Sequence, residues 1–276
     1  MDSRIFAARA ALHMWEEPCI SGEKGSGTVF FSGCSLRCRF CQNRDIAIGE
    51  CGMEISGNRL KEIFLELEQK GAANINLVTG THYVPQIIQA LEMARAEGLA
   101  IPVVYNSGGY ENTETIKLLE GYVDVYLPDF KYMDASLAGA FSHAPDYPEI
   151  AKNAIKEMVR QTGTCEFGED GYIKKGTIVR HLILPGHTAN SRAVLAYLHE
   201  TYGEDIYISI MNQYTPVFHQ EKYPELNRRV TRREYEKVLN YAMSLGIENG
   251  FFQEGETARE SFIPAFDFEG IKKTTP

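Results

Sequence analysis

Three of the chain's six cysteines, Cys34, Cys38 and Cys41, fall in the stretch Gly33-Cys34-Ser35-Leu36-Arg37-Cys38-Arg39-Phe40-Cys41-Gln42-Asn43 with the spacing C-x3-C-x2-C. Thiolates so placed can curl round one metal centre, and the Gly33 just ahead of them supplies backbone torsions that other residues avoid. Three sulfurs leave a tetrahedral or cubane centre one ligand short. Closed structural sites take four protein ligands, whereas catalytic ones keep a position open. Cys19, Cys51 and Cys165 stand apart without C-x2-C spacing and read as ordinary thiols. A closed zinc site, and with it a non-catalytic scaffolding or electron-transfer protein, would need Cys19 or Cys51 as the fourth corner.

Positioning such a loop requires a frame, and the apolar periodicity describes one. Thr28–Phe31, Ile75–Val78, Ile101–Tyr105, Val123–Leu127, Thr177–Leu184 and Ile206–Met211 read as six strands. Between and after them, Arg59–Lys70, Val84–Glu97, Thr113–Glu120, Asp146–Gln161, Ser191–Tyr202 and Val230–Leu245 read as helices. Strands separated by helices of this length predict βαβ units and a mostly parallel sheet, here an α/β fold in the form of a partial (split) parallel (β/α)6 TIM-like barrel. The cysteine loop hangs from the end of the first strand. Residues 2–15, rich in Ala and Leu, predict a short helix halted near Pro18, within an N-terminal helical extension of about 1–26. Gly163–Gly176 reads as an inserted loop or hairpin, and the tail of about 250–276 has no clear period. With no repeat and no linker, 1–276 is expected to be a single domain.

Polar residues follow every strand: Thr79-Gly80-Thr81-His82, Asn106-Ser107-Gly108-Gly109, Asp129-Phe130-Lys131, Pro185-Gly186-His187 and Asn212-Gln213-Tyr214. In parallel α/β folds the site forms at the C-terminal strand ends, so this set converges on the rim that carries the cysteines. Asp129 and Lys131 share a face of an extended segment and can equally form an ion pair. His82, His143, His181 and His187 read as surface or hydrogen-bonded histidines.

Cys34-x3-Cys38-x-Phe40-Cys41 resembles the signature of the radical S-adenosylmethionine (SAM) superfamily, including the aromatic residue before the last cysteine. More narrowly, Asp129-Phe130-Lys131 and Arg180-His181-Leu182-Ile183-Leu184-Pro185-Gly186 resemble motifs of the activating enzymes of pyruvate formate-lyase and their homologues, a likeness running from about Trp15 through Tyr214. What the resemblance implies is a [4Fe-4S] cluster held by Cys34, Cys38 and Cys41, with SAM completing the fourth iron and a 5′-deoxyadenosyl radical taking hydrogen from a substrate. It further implies Lys131 as partner of the SAM carboxylate, Asp129 as partner of the ribose or as support, Arg180 as further carboxylate-side stabilisation, and Phe40 against the adenine or over the cluster. The chain departs from the family where Thr79-Gly80-Thr81 replaces Gly-Gly-Glu, where Asn106 replaces a common Asp, and where Gln213 replaces a common His. Backbone carbonyls and the Thr81 hydroxyl are then the acceptors left for the SAM amino group. The expected activity is hydrogen abstraction from a protein or peptide, with activation of a glycyl radical enzyme as the narrow form and a small-molecule substrate as the alternative. A reductant such as flavodoxin or ferredoxin is the expected electron donor.

The formal net charge of −9 argues against a general nucleic-acid surface. Arg228, Arg229, Arg232 and Arg233 cluster, but Thr231 with Glu234 three residues on reads as a capping box, so a solvated helix start is expected there. No apolar run approaches a bilayer span, no export signal opens the sequence, and clustered thiols in a long chain suit a reducing cytoplasm.

Overall fold

The computed structural model describes residues 4–252 and 264–272. In chain order the elements are β1 (Ile5–His13), β2 (Ser26–Phe31), α1 (Arg44–Ala47), β3 (Met53–Ile55), α2 (Gly57–Gln69), β4 (Ile75–Val78), α3 (Val84–Ala96), β5 (Val103–Ser107), α4 (Thr113–Leu118) and β6 (Val125–Pro128). They continue with α5 (Ala135–Ser142), α6 (Tyr147–Thr162), β7 (Glu166–Phe167), β8 (Ile173–Leu182), α7 (Thr188–Tyr202), β9 (Tyr207–Met211), α8 (Arg232–Leu245) and β10 (Gly250–Phe252). Among the described residues one sheet runs β10-β9-β8-β6-β5-β4-β2-β1-β3, with β7 on β8. All pairings from β2 to β10 along that path are parallel, and β1 lies antiparallel to both β2 and β3.

Alternation along the strands sorts the side chains into two faces. Val29, Phe31, Ile75, Leu77, Val103, Tyr105 and Tyr126 pack outward with residues of α2, α3, α4 and α6. Farther round the sheet, Val179, Ile208 and Ile210 pack with α5, α6, α7 and α8. Each fully buried Leu, Ile or Phe in these layers contributes roughly 1.5–3 kcal/mol. The opposite face, carrying Val104, Val125, Leu127 and Ile178, closes on itself around Cys19 and Ile20. Helices outside and a filled interior inside make the curled, open sheet a partial barrel, with all six expected strands present and parallel to one another.

The expected helix over 2–15 is corrected: Ile5–His13 is a nine-residue strand. Ala and Leu favour a helix, but that preference is worth only tenths of a kcal/mol per residue. Pairing on β2 and β3, with Ile5, Ala7, Ala8 and Ala10 almost fully buried, outweighs it. Small side chains matter here, because residues 264–272 lie directly on this strand: Phe268 N–H donates to Ala8 O over 3.1 Å and Ala10 N–H to Glu269 O over 2.8 Å. Arg9 holds the same segment through Ala265 O and Asp267, and Arg59 through Ile271 O and Gly270 O. Residues 2 and 3 of the expected helix, and 253–263 and 273–276 of the expected tail, lie outside the described residues.

After β1 the chain enters the barrel from below. Asn74 Nδ2 donates to Ile20 O and Ile173 N–H to Cys19 O, which seats the β1–β2 loop as a plug. The Gly163–Gly176 segment is the hairpin of β7 on β8. Thr231 and Glu234 form the expected capping box, and Glu234 also accepts from Arg228 and from Gly186 N–H. The helix α5, opened by Asp134 as its cap, falls in a stretch that periodicity left unread. No helix among the described residues is long and apolar enough to cross a membrane.

Candidate functional site

Gly33 has φ +99, the torsion its position ahead of the cysteines called for, and a Cβ there would sit 2.8 Å from His82 Nε2. Downstream, Leu36 and Phe40 are buried with Phe130, Tyr132, Phe141 and Tyr214, so two apolar side chains pin the loop while its thiols face the barrel mouth. Polar contacts finish the anchoring. Arg39 N–H donates to Phe141 O and Arg39 Nε to Ala140 O, both over 2.8 Å. Arg37 donates back to Cys34 O, and Gln42 Nε2 reaches Gln213 O at 3.3 Å.

Cys34, Cys38 and Cys41 line a cavity of about 250 Å³ at the C-terminal strand ends, together with Phe40, Thr79, Asn106, Asp129, Lys131, Arg180 and Gln213. Burial, reinforced by the neighbouring thiols, raises the Cys34 thiol and pushes Cys41 up to about 11. Such thiols ionise when a metal cation takes them up. Neither Cys19 nor Cys51 lines this cavity. Cys19 belongs to the interior plug and Cys51 packs near Phe266, so no fourth cysteine approaches. Among the described residues no three His, Cys, Asp or Glu side chains are gathered round a single ion.

Opposite the thiols lies a charged network. Lys131 Nζ is ion-paired to Asp129 Oδ2, and Arg180 Nε donates to Asp129 Oδ1 over 3.1 Å. The other two arms of the Arg180 guanidinium reach Glu16 Oε2 at 3.0 Å and Asn106 Oδ1 at 2.6 Å. Burial works against the charge on Asp129, but Lys131 and Arg180 outweigh it and hold the carboxyl below its ordinary range. The same pairing overcomes burial at Lys131 and keeps it firmly an ammonium. Asp129 and Lys131 are thus an ion pair and line the cavity as well.

The turn carrying that pair is clamped by buried side chains. Tyr147 Oη accepts from Lys131 N–H over 2.9 Å and lies 2.9 Å from both Gly108 O and Asp129 O. His181 spans Phe130 O at 2.7 Å and Ser191 Oγ at 2.9 Å, and burial lowers it to about 4, so it is neutral. Asn190 accepts from Met133 N–H and donates to Lys131 O.

Two of the residues expected at the site are elsewhere. Gly80 packs beside Ile87, and the Thr81 hydroxyl donates to Glu111 Oε1 over 2.7 Å, neither Thr81 nor Glu111 lining the cavity. Thr79, in contrast, lines the cavity with φ +59, a left-handed torsion that strains a β-branched residue. Sequence reading missed Glu16, Glu111 and Ser142. Glu16 arrives on the β1–β2 loop and bonds Asn76, Asn106 and Arg180. Buried Glu111 is raised to about 7 by desolvation, against the hydrogen bonds from Thr81, Ser107 and Tyr105. Adjacent acidic residues between Trp15 and Pro18, Glu16-Glu17, were the available signal for the first.

A family model described as the radical SAM superfamily matches residues 28–198. Uncharacterized protein MJ0674 of Methanocaldococcus jannaschii is 30% identical over 247 residues, covering 86% of this chain and 67% of that protein. Among solved structures, Streptococcus suis SuiB bound to the precursor peptide SuiA superposes with TM-score 0.55 at 16% identity over 82% of this chain and 47% of SuiB. HydG, a maturase of the [FeFe]-hydrogenase, superposes with TM-score 0.56 at 15% identity over 82% of this chain and 51% of HydG. At those identities the two structures share the fold, and the chain spans about half the length of each.

Proposed function

The chain belongs to the radical SAM superfamily, whose members use a [4Fe-4S] cluster and SAM, and from that premise we propose that Cys34, Cys38 and Cys41 hold the cluster while Lys131 and Asp129 orient SAM beside it. The observation that carries the proposal is the meeting of three thiols and a buried Lys–Asp pair in one cavity. The residues present fit the group: no fourth cysteine lines the cavity among the described residues, which leaves one iron for an external ligand. When bound, the cluster and SAM would supply an electron to split a carbon–sulfur bond and a 5′-deoxyadenosyl radical that takes hydrogen from the substrate.

Within that site the side chains divide the work. Lys131, kept cationic by Asp129, presents an ammonium to a carboxylate, and the Tyr147, His181 and Asn190 clamp fixes the turn it stands on. Arg180 has all three arms engaged, so its role is to buttress Asp129 and Asn106. Phe40 and Leu36 exclude water behind the thiols. The Thr79 turn offers backbone carbonyls where the family has its Gly-Gly-Glu.

As substrate we infer a protein or peptide. The support is exposed apolar surface at the cavity: Trp15 lines it yet is 56% exposed. The narrower reading, activation of a glycyl radical enzyme, has the motif resemblance at Asp129–Lys131 and Arg180–Gly186 behind it.

Anaerobic reconstitution of the full chain with iron and sulfide, then incubation with SAM and a strong one-electron reductant, tests the assignment. Release of 5′-deoxyadenosine is expected, and its absence with a verified intact cluster would overturn it. Cys19→Ala and Cys51→Ala should keep full iron content; loss of metal in either would instead indicate a closed four-ligand site.

A further inference from the structure

The C-terminal end of α5 grips the cysteine loop at three points. Two are the Arg39 contacts to Phe141 O and Ala140 O. At the third, Ser142 Oγ donates to Cys38 Sγ over 3.0 Å. Ser142 is the last residue of the helix and only 2% exposed, so no water competes for its hydroxyl. Behind it stands Tyr132, fully buried, with its Oη 2.7 Å from Ser142 Oγ.

Proton counting fixes the direction of this chain. A serine hydroxyl has one proton, and here it points at sulfur. The Ser142 oxygen is then an acceptor towards Tyr132, whose phenol must be the donor. Tyr132 O–H to Ser142 O–H to Cys38 Sγ is therefore a relay of aligned dipoles whose positive end meets the sulfur. Tyr132 is itself held edge-on against Tyr147 at 5.4 Å between ring centroids, which keeps the relay from rotating away. Neither hydroxyl serves the folding of a helix or strand: Tyr132 lies in the β6–α5 connection, and the Ser142 hydroxyl turns to Cys38 and Tyr132 instead of to the helix backbone.

We propose that Ser142, polarised by Tyr132, is a tuning residue that raises the reduction potential of the cluster held by Cys38, an inference that rests on the cluster assignment above. Reduction by a low-potential one-electron donor adds one negative charge to the cluster and its thiolates, and no proton moves. A hydrogen bond to a ligating sulfur stabilises the more negative form more than the less negative one, so it eases electron entry. Buried hydrogen bonds to charged acceptors are the strong kind, because low local polarity amplifies them.

The test is a redox titration of the reconstituted full chain, followed by the electron paramagnetic resonance signal of the reduced cluster. Ser142→Ala should leave iron content unchanged and lower the reduced-to-oxidised ratio at a fixed potential about tenfold, which for a one-electron couple is ~59 mV more negative. Tyr132→Phe should shift it the same way by less, and Ser142→Thr, which keeps the hydroxyl, should stay near the parent. Electron–nuclear double resonance should also show one exchangeable proton coupling lost in Ser142→Ala. A Ser142→Ala cluster with parental potential and all proton couplings intact would overturn the proposal while leaving the cluster assignment standing. A parent chain that takes up no iron, or whose iron survives Cys38→Ala unchanged, would overturn both. Should Ser142→Ala not fold, Tyr132→Phe decides: an unmoved potential there, with the coupling unchanged, counts against the relay.

Discussion

Arg180 Nη1 donates to Glu16 Oε2 over 3.0 Å across the inside of the barrel, although 164 residues separate the two. The contact ties the β1–β2 loop to β8 and completes a chain of charges that runs on to Asp129 and Lys131. Removing one member of a buried pair strands the other. Glu16→Ala should therefore lower stability by about 3 kcal/mol, and Glu16→Gln, which can still accept from Arg180, by less. Urea unfolding of both variants checks the order; equal midpoints for parent and Glu16→Ala would show that the pair is dispensable.

Glu111 makes stability depend on pH in a defined window. Its folded value of about 7 lies above the ordinary 4.5, so the folded chain binds this proton more tightly than the unfolded one. The resulting stabilisation is complete below pH 4.5 and is lost as pH rises to about 7, a total of roughly 3 kcal/mol. Neutral His13 and His181, each lowered to about 4, act in the opposite sense. The informative measurement is consequently the difference between parent and Glu111→Gln from pH 5 to 8, expected to move in favour of the Gln variant as pH rises. A difference independent of pH would refute the assignment.

Gly109 has φ +77, and a Cβ there would fall 2.0 Å from Asp129 O and 3.0 Å from the Tyr147 hydroxyl. Neither neighbour can move without releasing the turn that holds Lys131. Gly109→Ala should cost at least ~3 kcal/mol, from left-handed strain and overpacking together. Thermal unfolding measures it, with Gly121→Ala as control: that glycine also has a positive φ but no atom within 4 Å of its Cβ.

Lys131→Met should weaken SAM binding at least tenfold, the order expected for one charge-assisted hydrogen bond. Iron content should stay at the parental level, because Lys131 lines the cavity without serving as a thiol. Equilibrium binding of SAM to the anaerobic chain, beside an iron assay, separates the two. Unchanged affinity would remove Lys131 from the binding site.

The central barrel was legible because its strands are short β-branched runs and its helices carry clean apolar faces, as in Leu60, Ile63, Phe64 and Leu67 of α2. Cys34, Cys38, Cys41, Asp129 and Lys131 were legible because local spacing and strand ends placed them at one rim, whereas Arg180, inside β8, was pointed to by the motif resemblance alone. β1 was not, since Ala7, Ala8 and Ala10 are chosen for close backbone approach, a tertiary reason that overrides helix preference. Nor were Glu16 and Glu111. Each comes from a loop, and its meaning lies wholly in partners brought from other strands: Arg180 for one, Thr81 and Tyr105 for the other. Thr81 was misplaced for a related reason: its sequence position beside Thr79 says nothing about which of the two turns away.

The segment 264–272 on β1 also dictates an order of assembly. Arg9 reaches partners 256 to 260 residues away. During synthesis the first strand is made early, but this stretch of its edge waits until residues 264–272 have left the ribosome. Contacts of such separation are slow to form, because the loop entropy must be met before they reward it. The Ala8–Ala10 edge is thus the final seam to close, and a nascent chain stalled before residue 264 carries it open as a template for another strand.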